Sequence, residues 1–194
     1  TMNPTLNRSS SQSLSMVALF AALMAVMGLI PKIDLPFGVP ITLQSLGVML
    51  AGCLLGARRG LQSMALFLLA VAVGLPLLSG GRGGLGVFMA PSAGYLVGYA
   101  LAAGVTGALM ARLPSQTPMR AAISAFTASV LGGLVFLHAL GIAGLMALAK
   151  MPLDKALMVD LAFVPGDLIK CVLCAIVVHT VAKALPDWRM GGRA

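Results

Sequence analysis

Six long apolar segments alternate with short polar or glycine-rich segments along the chain. Nearly all charged residues fall between the apolar segments rather than inside them. A helix needs roughly 20 predominantly apolar residues to cross a bilayer, so the chain has room for about six such helices and little else. The pattern therefore predicts an all-α integral membrane protein, a bundle of six transmembrane helices over residues 14–30, 41–55, 61–78, 87–111, 121–149 and 161–185.

The two ends of the chain differ from the apolar region between them. Residues 1–13 are polar and rich in serine, which favours a mobile tail, and residues 186–194 form a basic tail. No other stretch is long or polar enough for a separate soluble domain, so we predict that residues 14–185 form a single six-helix domain. The fifth helix is long enough to be tilted, or loosened at Gly132 and Gly133.

Composition and charge support a membrane protein and predict its orientation. Hydrophobic residues make up 59% of the chain and charged residues 9%, far from the usual soluble range. With the N-terminus inside, the cytoplasmic segments hold eight arginines and lysines, whereas the outer loops hold four, together with Asp34, Asp154 and Asp160. Cytoplasmic loops carry the excess of bases, so we expect both termini on the cytoplasmic side of the cell's inner (cytoplasmic) membrane. The net charge of +8 then reflects topology and anionic lipid rather than nucleic acid.

Cysteines and carboxylates give little support for an enzyme or a metal site. Cys53, Cys171 and Cys174 all lie in apolar segments. The C-x-x-C spacing of the last two occurs in metal and redox sites, but no second pair of ligands accompanies it. We expect all three to be small apolar residues, with no disulfide, metal or cofactor. The chain has no glutamate and one carboxylate within the predicted helices, so catalysis is not expected.

The last apolar segment begins with an acid and a base in residues 163–170 (FVPGDLIK). Proline and glycine favour helix entry, and Asp167 in the first turn suits the positive end of the helix dipole. Three residues of separation place Asp167 and Lys170 on one helical face. A charge at the centre of a transmembrane helix costs about 2.5–3.5 kcal/mol, so we expect the pair to form a polar site inside the bundle. The alternative is a structural pair that only fixes the last helix.

The predicted orientation brings polar residues from four segments to one level near the outer surface. They come from the starts of the second, fourth and sixth helices and from the glycine-rich loop at residues 79–86. Carboxylate and ammonium groups bind the N–H groups and oxygen atoms of ligands, and neutral hydroxyls and amides add further donors and acceptors. We therefore predict a pocket, open to the outside, for a small and partly apolar ligand with an N–H group and an oxygen-rich end. The predicted pocket residues are Thr42, Gln44, Arg82, Gly84, Ser92, Tyr95, Asp167 and Lys170.

Some of these features have simpler interpretations. The glycine-rich loop is alternatively a tight outer turn, and Tyr95 an interfacial aromatic residue. We expect His138 and His179 to be buried or boundary residues rather than proton relays.

Small residues at four-residue spacing predict helix faces that pack closely. The first helix carries the pairs Ala18/Ala22 and Ala21/Ala25, and the fourth carries Gly94/Gly98. Such residues let neighbouring helices approach one another. Packing within the bundle and docking of the first helix against another membrane protein both fit this pattern.

Five segments together resemble one known family of membrane proteins. They are residues 39–44 (VPITLQ), 54–60 (LLGARRG), 80–86 (GGRGGLG), 90–96 (APSAGYL) and 163–170 (FVPGDLIK). In this order and spacing they resemble BioY, the biotin-binding substrate-specificity (S) component of energy-coupling factor (ECF) transporters. The resemblance covers about residues 14–185 and departs from the family at residues 90–93, where Gly-Pro-Thr-Gly is usual.

The resemblance implies a fold, a ligand and partners. S components are six-helix membrane proteins that capture a vitamin from outside and associate with a transmembrane coupling protein (EcfT-like) and two cytosolic ATPases. Biotin is the implied ligand: its ureido N–H groups would meet Asp167, Lys170 would take the ureido oxygen or the carboxylate, and Arg82 is the other candidate for the carboxylate. By resemblance, Ala18, Ala22 and Ala25 match the small-residue stripe of the first helix that contacts the coupling protein. No phosphate-binding loop occurs in the sequence, so ATP hydrolysis would belong to the partners.

Two alternatives to biotin uptake also fit the sequence. One is an S component for another vitamin, because the architecture would be the same. The other is a membrane assembly protein without a ligand, in which Asp167 and Lys170 form a structural pair.

Overall fold

A computed structural model describes residues 4–33 and 40–192, with side chains described from residue 11 onward. Within these ranges the chain is helical, apart from short connections and two isolated β-bridges. The eight α-helices are α1 Pro4–Gly28, α2 Gln44–Leu55, α3 Ala57–Ala72, α4 Ala93–Arg112, α5 Pro118–Ala128, α6 Leu137–Leu148, α7 Leu153–Leu161 and α8 Val164–Ala184. Two short 3-10 helices, Leu85–Met89 and Met190–Gly192, and a π-helical segment, Ser129–Phe136, complete the helices of the described residues.

Four helical stretches in the described chain are long and apolar enough to cross a membrane. They are Ser11–Gly28, Ala93–Arg112, Pro118–Leu148 and Val164–Ala184. Helix α2 has 12 residues, about 18 Å at 1.5 Å per residue, and is shorter than a hydrocarbon core of about 30 Å. The all-α prediction is thus confirmed for the described residues. Length and composition support four of the six predicted transmembrane helices.

Helix α2 lies at the centre of the bundle. All of its residues are buried, and it packs against α1, α3, α4 and α8. A helix that is apolar on every side is typical of such a central position. It ends at Gly56, whose φ of +85° belongs to the left-handed region, and α3 begins at the next residue. An added Cβ at Gly56 would lie 2.6 Å from the carbonyl carbon of Gly191, so the turn also requires the absence of a side chain.

The predicted third and fourth helices have different boundaries in the structure. Helix α3 ends at Ala72 rather than residue 78, because the chain turns at Gly74 and Pro76 and then pairs Leu78 with Arg82. Four glycines of this connection, Gly74, Gly80, Gly81 and Gly84, adopt positive φ values, which ends helical geometry there. Helix α4 begins at Ala93 rather than residue 87, after a short 3-10 helix.

The predicted fifth helix is continuous, and its helical turns widen around Gly132 and Gly133. Helices α5 and α6 are joined by a π-helical segment, Ser129–Phe136, which contains Gly132 and Gly133. An added Cβ at Gly132 would lie 2.7 Å from the backbone nitrogen of Thr106 in α4. The wider π turn therefore coincides with a close approach of two helices.

The predicted sixth helix is divided, and the loop predicted at residues 150–160 is largely helical. Helix α7 begins after Pro152, and Asp154 lies in its first turn, both of which favour a helix start. The chain turns between α7 and α8, where Phe163 N donates to Asp160 O at 2.9 Å. Asp160 therefore lies in the protein interior rather than in an outer loop, and it is 6% exposed.

Helical structure continues beyond both ends of the predicted domain. Helix α1 begins at Pro4, within the segment predicted as a tail, and the mobility of that segment stays a prediction. At the other end, Trp188 Nε1 donates to Leu54 O at 3.0 Å, and Met190 is 4% exposed. The C-terminal segment up to residue 192 therefore packs on the end of α2. Asp34, Val39 and Arg193, which entered the predictions above, lie outside the described residues.

Candidate ligand-binding site

One cavity gathers seven of the eight predicted pocket residues. Its wall is built by the start of α2, the turn after α3, the first half of α4, the start of α6 and the first turns of α8. The predicted residues in this wall are Thr42, Gln44, Arg82, Ser92, Tyr95, Asp167 and Lys170. Gly84 does not line the cavity; it lies at the start of the 3-10 helix Leu85–Met89, where its N–H donates to Val71 O at 2.8 Å. Its φ of +82° gives it a role in the turn.

Asp167, Lys170 and Ser45 form a closed hydrogen-bonded triangle at the base of the cavity. Lys170 Nζ donates to Asp167 Oδ1 at 2.7 Å and to Ser45 Oγ at 2.9 Å. Ser45 Oγ in turn donates to Asp167 Oδ1 at 2.9 Å. All three residues are at most 8% exposed, and a proline in the first turn of α8 precedes Asp167 as expected. The predicted pairing of Asp167 with Lys170 is therefore present, and α2 supplies its third member.

A histidine connects this triangle to a second carboxylate. His138 Nε2 lies 2.9 Å from Asp167 Oδ2, and His138 Nδ1 lies 3.0 Å from Asp160 Oδ2. Tyr95 OH donates to Asp160 Oδ1 at 2.7 Å. The expectation of a single carboxylate within the helices is thus wrong, because Asp160 belongs to the same network as Asp167. The histidine itself is buried, as expected, but it lies at the site rather than apart from it.

Sequence reasoning missed three residues of the network, namely Ser45, His138 and Asp160. A serine at a helix start and a histidine in an apolar run have many ordinary structural roles, so neither stands out by residue type. The sequence pattern predicts Asp160 in an outer loop, which also carries Asp154 and Lys155. The signal available in the sequence was its seven-residue distance from Asp167, which places both carboxylates at one end of the last predicted helix.

Gln44 contributes mainly to the frame of the cavity. Its Nε2 donates to Met24 O of α1 and to Leu77 O in the turn after α3, each at 3.1 Å. An amide nitrogen has two hydrogens, so both are used by the protein, and only the side-chain oxygen is left for a ligand. Gln44 is 1% exposed and joins three segments that surround the site.

Arg82 lies at the mouth of the cavity, in the turn closed by the Leu78–Arg82 bridge. Its Nε donates to Ser79 O at 3.4 Å, a long hydrogen bond. The side chain is half-buried, whereas Lys170 lies deep in the bundle with two partners. Positive φ values at Gly80 and Gly81 let the chain reverse tightly beside it.

Aromatic and aliphatic side chains form the apolar part of the wall. The ring centroids of Tyr95 and Phe163 are 5.8 Å apart, and those of Tyr95 and His138 are 6.0 Å apart in an edge-to-face arrangement. Such pairs hold flat apolar surfaces in fixed positions. The cavity therefore offers a charged and hydrogen-bonding base, an apolar wall and a guanidinium at its mouth. This combination is suited to binding a small molecule that is polar at both ends.

The small-residue faces predicted on α1 and α4 lie in different environments. Gly94 of α4 contacts α6, where an added Cβ would lie 2.7 Å from Gly144 Cα. Close packing within the bundle is thus present at Gly94. On α1, Ala18 and Ala22 are exposed and Ala25 is half-buried.

The sequence itself matches one family over nearly its whole length. A model of the BioY family matches residues 2–187. The chain belongs to the BioY family. This confirms the resemblance given by the five segments, and with its four apolar helical stretches the chain is a multi-pass membrane protein.

Individual relatives agree with the family match. The chain is 48% identical over 180 residues to the biotin transporter BioY of Rhizobium etli, covering 91% of this chain and 96% of that protein. It is 44% identical over 185 residues to the biotin transporter BioY of Rhodobacter capsulatus, with the same coverage.

A solved structure has the same fold as this BioY-family chain. It is the crystal structure of the S-component for biotin from an ECF-type ABC transporter. The TM-score is 0.81 at 32% identity, over 94% of this chain and 95% of that one.

Proposed function

We propose that this chain is the S component for biotin uptake of an ECF transporter. It captures biotin in the cavity described above and itself performs no chemical reaction on it. The observation that carries the proposal is the buried triangle of Asp167, Lys170 and Ser45 on the wall of a cavity, in a BioY-family chain. A purely structural ion pair has no need to face a cavity, and burying it costs desolvation energy.

The arrangement of charges suggests how biotin would be oriented. The ureido group carries two N–H donors and one carbonyl acceptor, which match a carboxylate beside an ammonium. Asp167 accepts the ureido N–H, and the remaining hydrogen of Lys170 reaches the ureido oxygen. The apolar rings of Tyr95 and Phe163 cover the bicyclic body.

The carboxylate of biotin then points to the mouth of the cavity, towards Arg82. Of the two bases that the sequence left as candidates, Lys170 already donates to two protein acceptors at the base. Arg82 has one long hydrogen bond and a planar fork that suits a carboxylate. We assign Arg82 to the carboxylate for this reason.

The membrane arrangement that goes with this function has six crossings and both termini in the cytoplasm of the cell's inner membrane. Helices α2 and α3, joined at Gly56, supply the two crossings that are shorter than the hydrocarbon core. The excess of bases in the cytoplasmic segments supports this orientation. In it, the cavity opens to the outside.

Energy for uptake comes from partners: an EcfT-like transmembrane coupling protein and two cytosolic ATPases. The exposed alanines of α1, Ala18 and Ala22, form a face without bulky side chains on which the coupling protein packs closely, and Ala25 lies at its edge. Biotin binding therefore belongs to this chain and ATP hydrolysis to its partners.

Uptake of labelled biotin by cells that lack other biotin transporters tests the proposal as a whole. Cells producing this chain with an ECF module should accumulate biotin, and excess unlabelled biotin should abolish the signal. Accumulation that is equal in cells with and without the chain would contradict the proposed function.

A further inference from the structure

Asp160 belongs to the network but not to the wall of the cavity. It is 6% exposed and does not line the cavity, whereas its two partners, Tyr95 and His138, do. One carboxylate oxygen accepts from Tyr95 OH at 2.7 Å, and the other lies 3.0 Å from His138 Nδ1. Asp160 on α7 thus holds one side chain from α4 and one from α6.

The contacts of His138 favour a ring that is protonated on both nitrogens. Both ring nitrogens face carboxylate oxygens, at 3.0 Å on Asp160 and 2.9 Å on Asp167. An ionised carboxylate only accepts hydrogen bonds, and a neutral imidazole has a single N–H. An imidazolium donates from both nitrogens and satisfies both contacts.

Charge balance agrees with an imidazolium. The charged or titratable groups around the ring are Asp160 from α7, Asp167 and Lys170 from α8, and the phenol of Tyr95 from α4, while α2 contributes the neutral hydroxyl of Ser45. With a neutral ring, two carboxylates would face one ammonium, and the buried cluster would carry a net negative charge. With His138 protonated, the cluster is neutral, which is the state that burial favours.

From this geometry we propose that Asp160 is a positioning residue of the ligand site. It holds His138 as an imidazolium against Asp167 Oδ2 and fixes the phenol of Tyr95. Each oxygen of Asp167 is then held by the protein, Oδ2 by His138 and Oδ1 by Lys170 and Ser45, so the carboxylate is fixed in the cavity wall. This inference rests on the proposed function for its effect on biotin, but the state of His138 is a property of the ligand-free protein.

The chain is suited to a direct test because it has two histidines, His138 and His179. With ¹⁵N-labelled histidine in the detergent-solubilised chain, nitrogen NMR without ligand reports the protonation of each ring nitrogen. His179→Gln removes the other signal and assigns the spectrum. We expect both nitrogens of His138 to be protonated. A spectrum with one bare ring nitrogen in the wild-type chain would overturn the inference, whether or not the chain binds biotin.

The variant Asp160→Asn changes charge while keeping shape. The new amide still accepts from Tyr95, and its N–H donates to His138 Nδ1, so the ring becomes neutral with its hydrogen on Nε2. We expect the Nδ1 signal to become that of a bare nitrogen and biotin affinity per folded protein to fall about tenfold, the typical effect of losing a charged hydrogen bond. Asp154→Asn, an exposed acid on the same helix, is the matched control and should match the wild type in both measurements.

The outcomes separate this inference from the proposed function. If Asp160→Asn leaves the His138 spectrum unchanged or binds biotin within about twofold of the wild type, Asp160 has no positioning role. If the wild-type spectrum shows the imidazolium but the chain binds no biotin, the network stands and the proposed function fails. If Asp160→Asn does not fold, the wild-type spectrum alone still decides the state of the ring.

Discussion

Ser45 and Asp167 are 122 residues apart in the chain, yet Ser45 Oγ donates a 2.9 Å hydrogen bond to Asp167 Oδ1. The bond joins the buried start of α2 to the first turn of α8. Lys170 donates to the same hydroxyl at 2.9 Å, so the ion pair of α8 is held by a second helix as well as by its own. Removing any member of the triangle should therefore affect both the ligand site and the contact between these helices.

The substitution Asp167→Asn should abolish biotin binding and also lower stability. Lys170 and His138 would lose the charged oxygen to which they now donate, and breaking one side of a buried pair typically costs about 3–5 kcal/mol. We expect affinity to fall at least about 100-fold, since about 2.7 kcal/mol corresponds to this factor. Equilibrium binding per folded protein, with thermal unfolding in detergent, measures both effects.

The double variant Asp167→Asn with Lys170→Gln separates binding from stability. It removes both charges, so stability should recover in part, whereas biotin binding should stay lost. Recovery of binding together with stability would show that the pair is only structural. Lys183→Gln, an exposed base in the last turn of the same helix, is the control for charge removal and should change neither property.

The substitution Arg82→Gln should discriminate between biotin and its uncharged amide. If Arg82 meets the carboxylate at the mouth of the cavity, the variant should bind biotin about tenfold more weakly and bind biotin amide as the wild type does. Competition binding with both ligands measures this difference. Arg120→Gln, an exposed arginine of α5, is the matched control. Equal losses for the two ligands would contradict the assigned orientation.

The substitution Ala22→Leu should separate biotin binding from uptake. Ala22 is exposed on α1 and does not line the cavity, so the purified variant should bind biotin normally. A bulky side chain on this face should prevent close packing with the coupling protein and reduce uptake in cells. Co-purification with the ECF module measures the loss, and Ala147→Leu, exposed on α6, should keep the complex. A normal complex in Ala22→Leu would assign this face to lipid.

The substitution Gly94→Ala should destabilise the bundle and weaken the site. The new Cβ would lie 2.7 Å from Gly144 Cα, so α4 and α6 must separate, and inserted atoms in a packed core typically cost about 1–3 kcal/mol. The neighbouring Tyr95 should move with α4, which lowers biotin affinity. Thermal unfolding and biotin binding check the two effects.

Gly104→Ala on the same helix is the control for this prediction. Its nearest contact would be 3.4 Å from Leu61 Cδ1, at the flexible end of a side chain. Alanine has the higher helix propensity, so the variant should be as stable as the wild type or slightly more stable. Equal destabilisation by both substitutions would show that the Gly94 contact has no special role.

The long helices were the most predictable part of the fold. In a lipid environment an apolar stretch of about 20 residues must satisfy its own backbone hydrogen bonds, and a helix does so locally. Residues 121–149 therefore match the continuous α5–α6 helix closely. Residues 87–111 match α4 at its end, whereas the helix begins six residues later than predicted. The division of the last helix into α7 and α8 was less predictable. Asp154 and Lys155 lie on the exposed face of α7, and in the sequence such charged residues are typical of a loop.

Prediction of the site depended on residue type. Asp167 and Lys170 stand out because charges are costly in an apolar segment, and Arg82 stands out within a run of glycines. Ser45 and His138 are ordinary residues that acquire their role by facing Asp167 from other helices. That information lies in the tertiary contacts that Ser45 of α2 and His138 of α6 make with Asp167, and local sequence does not contain it.

Equilibrium binding of labelled biotin to the purified, detergent-solubilised chain tests the central claim most directly. Riboflavin and thiamine serve as unlabelled competitors. We expect saturable binding with nanomolar affinity, about −12 kcal/mol, that unlabelled biotin displaces and the other two vitamins do not. The absence of saturable binding in well-folded protein would contradict the assignment of the cavity to biotin, and displacement by another vitamin would reassign its ligand.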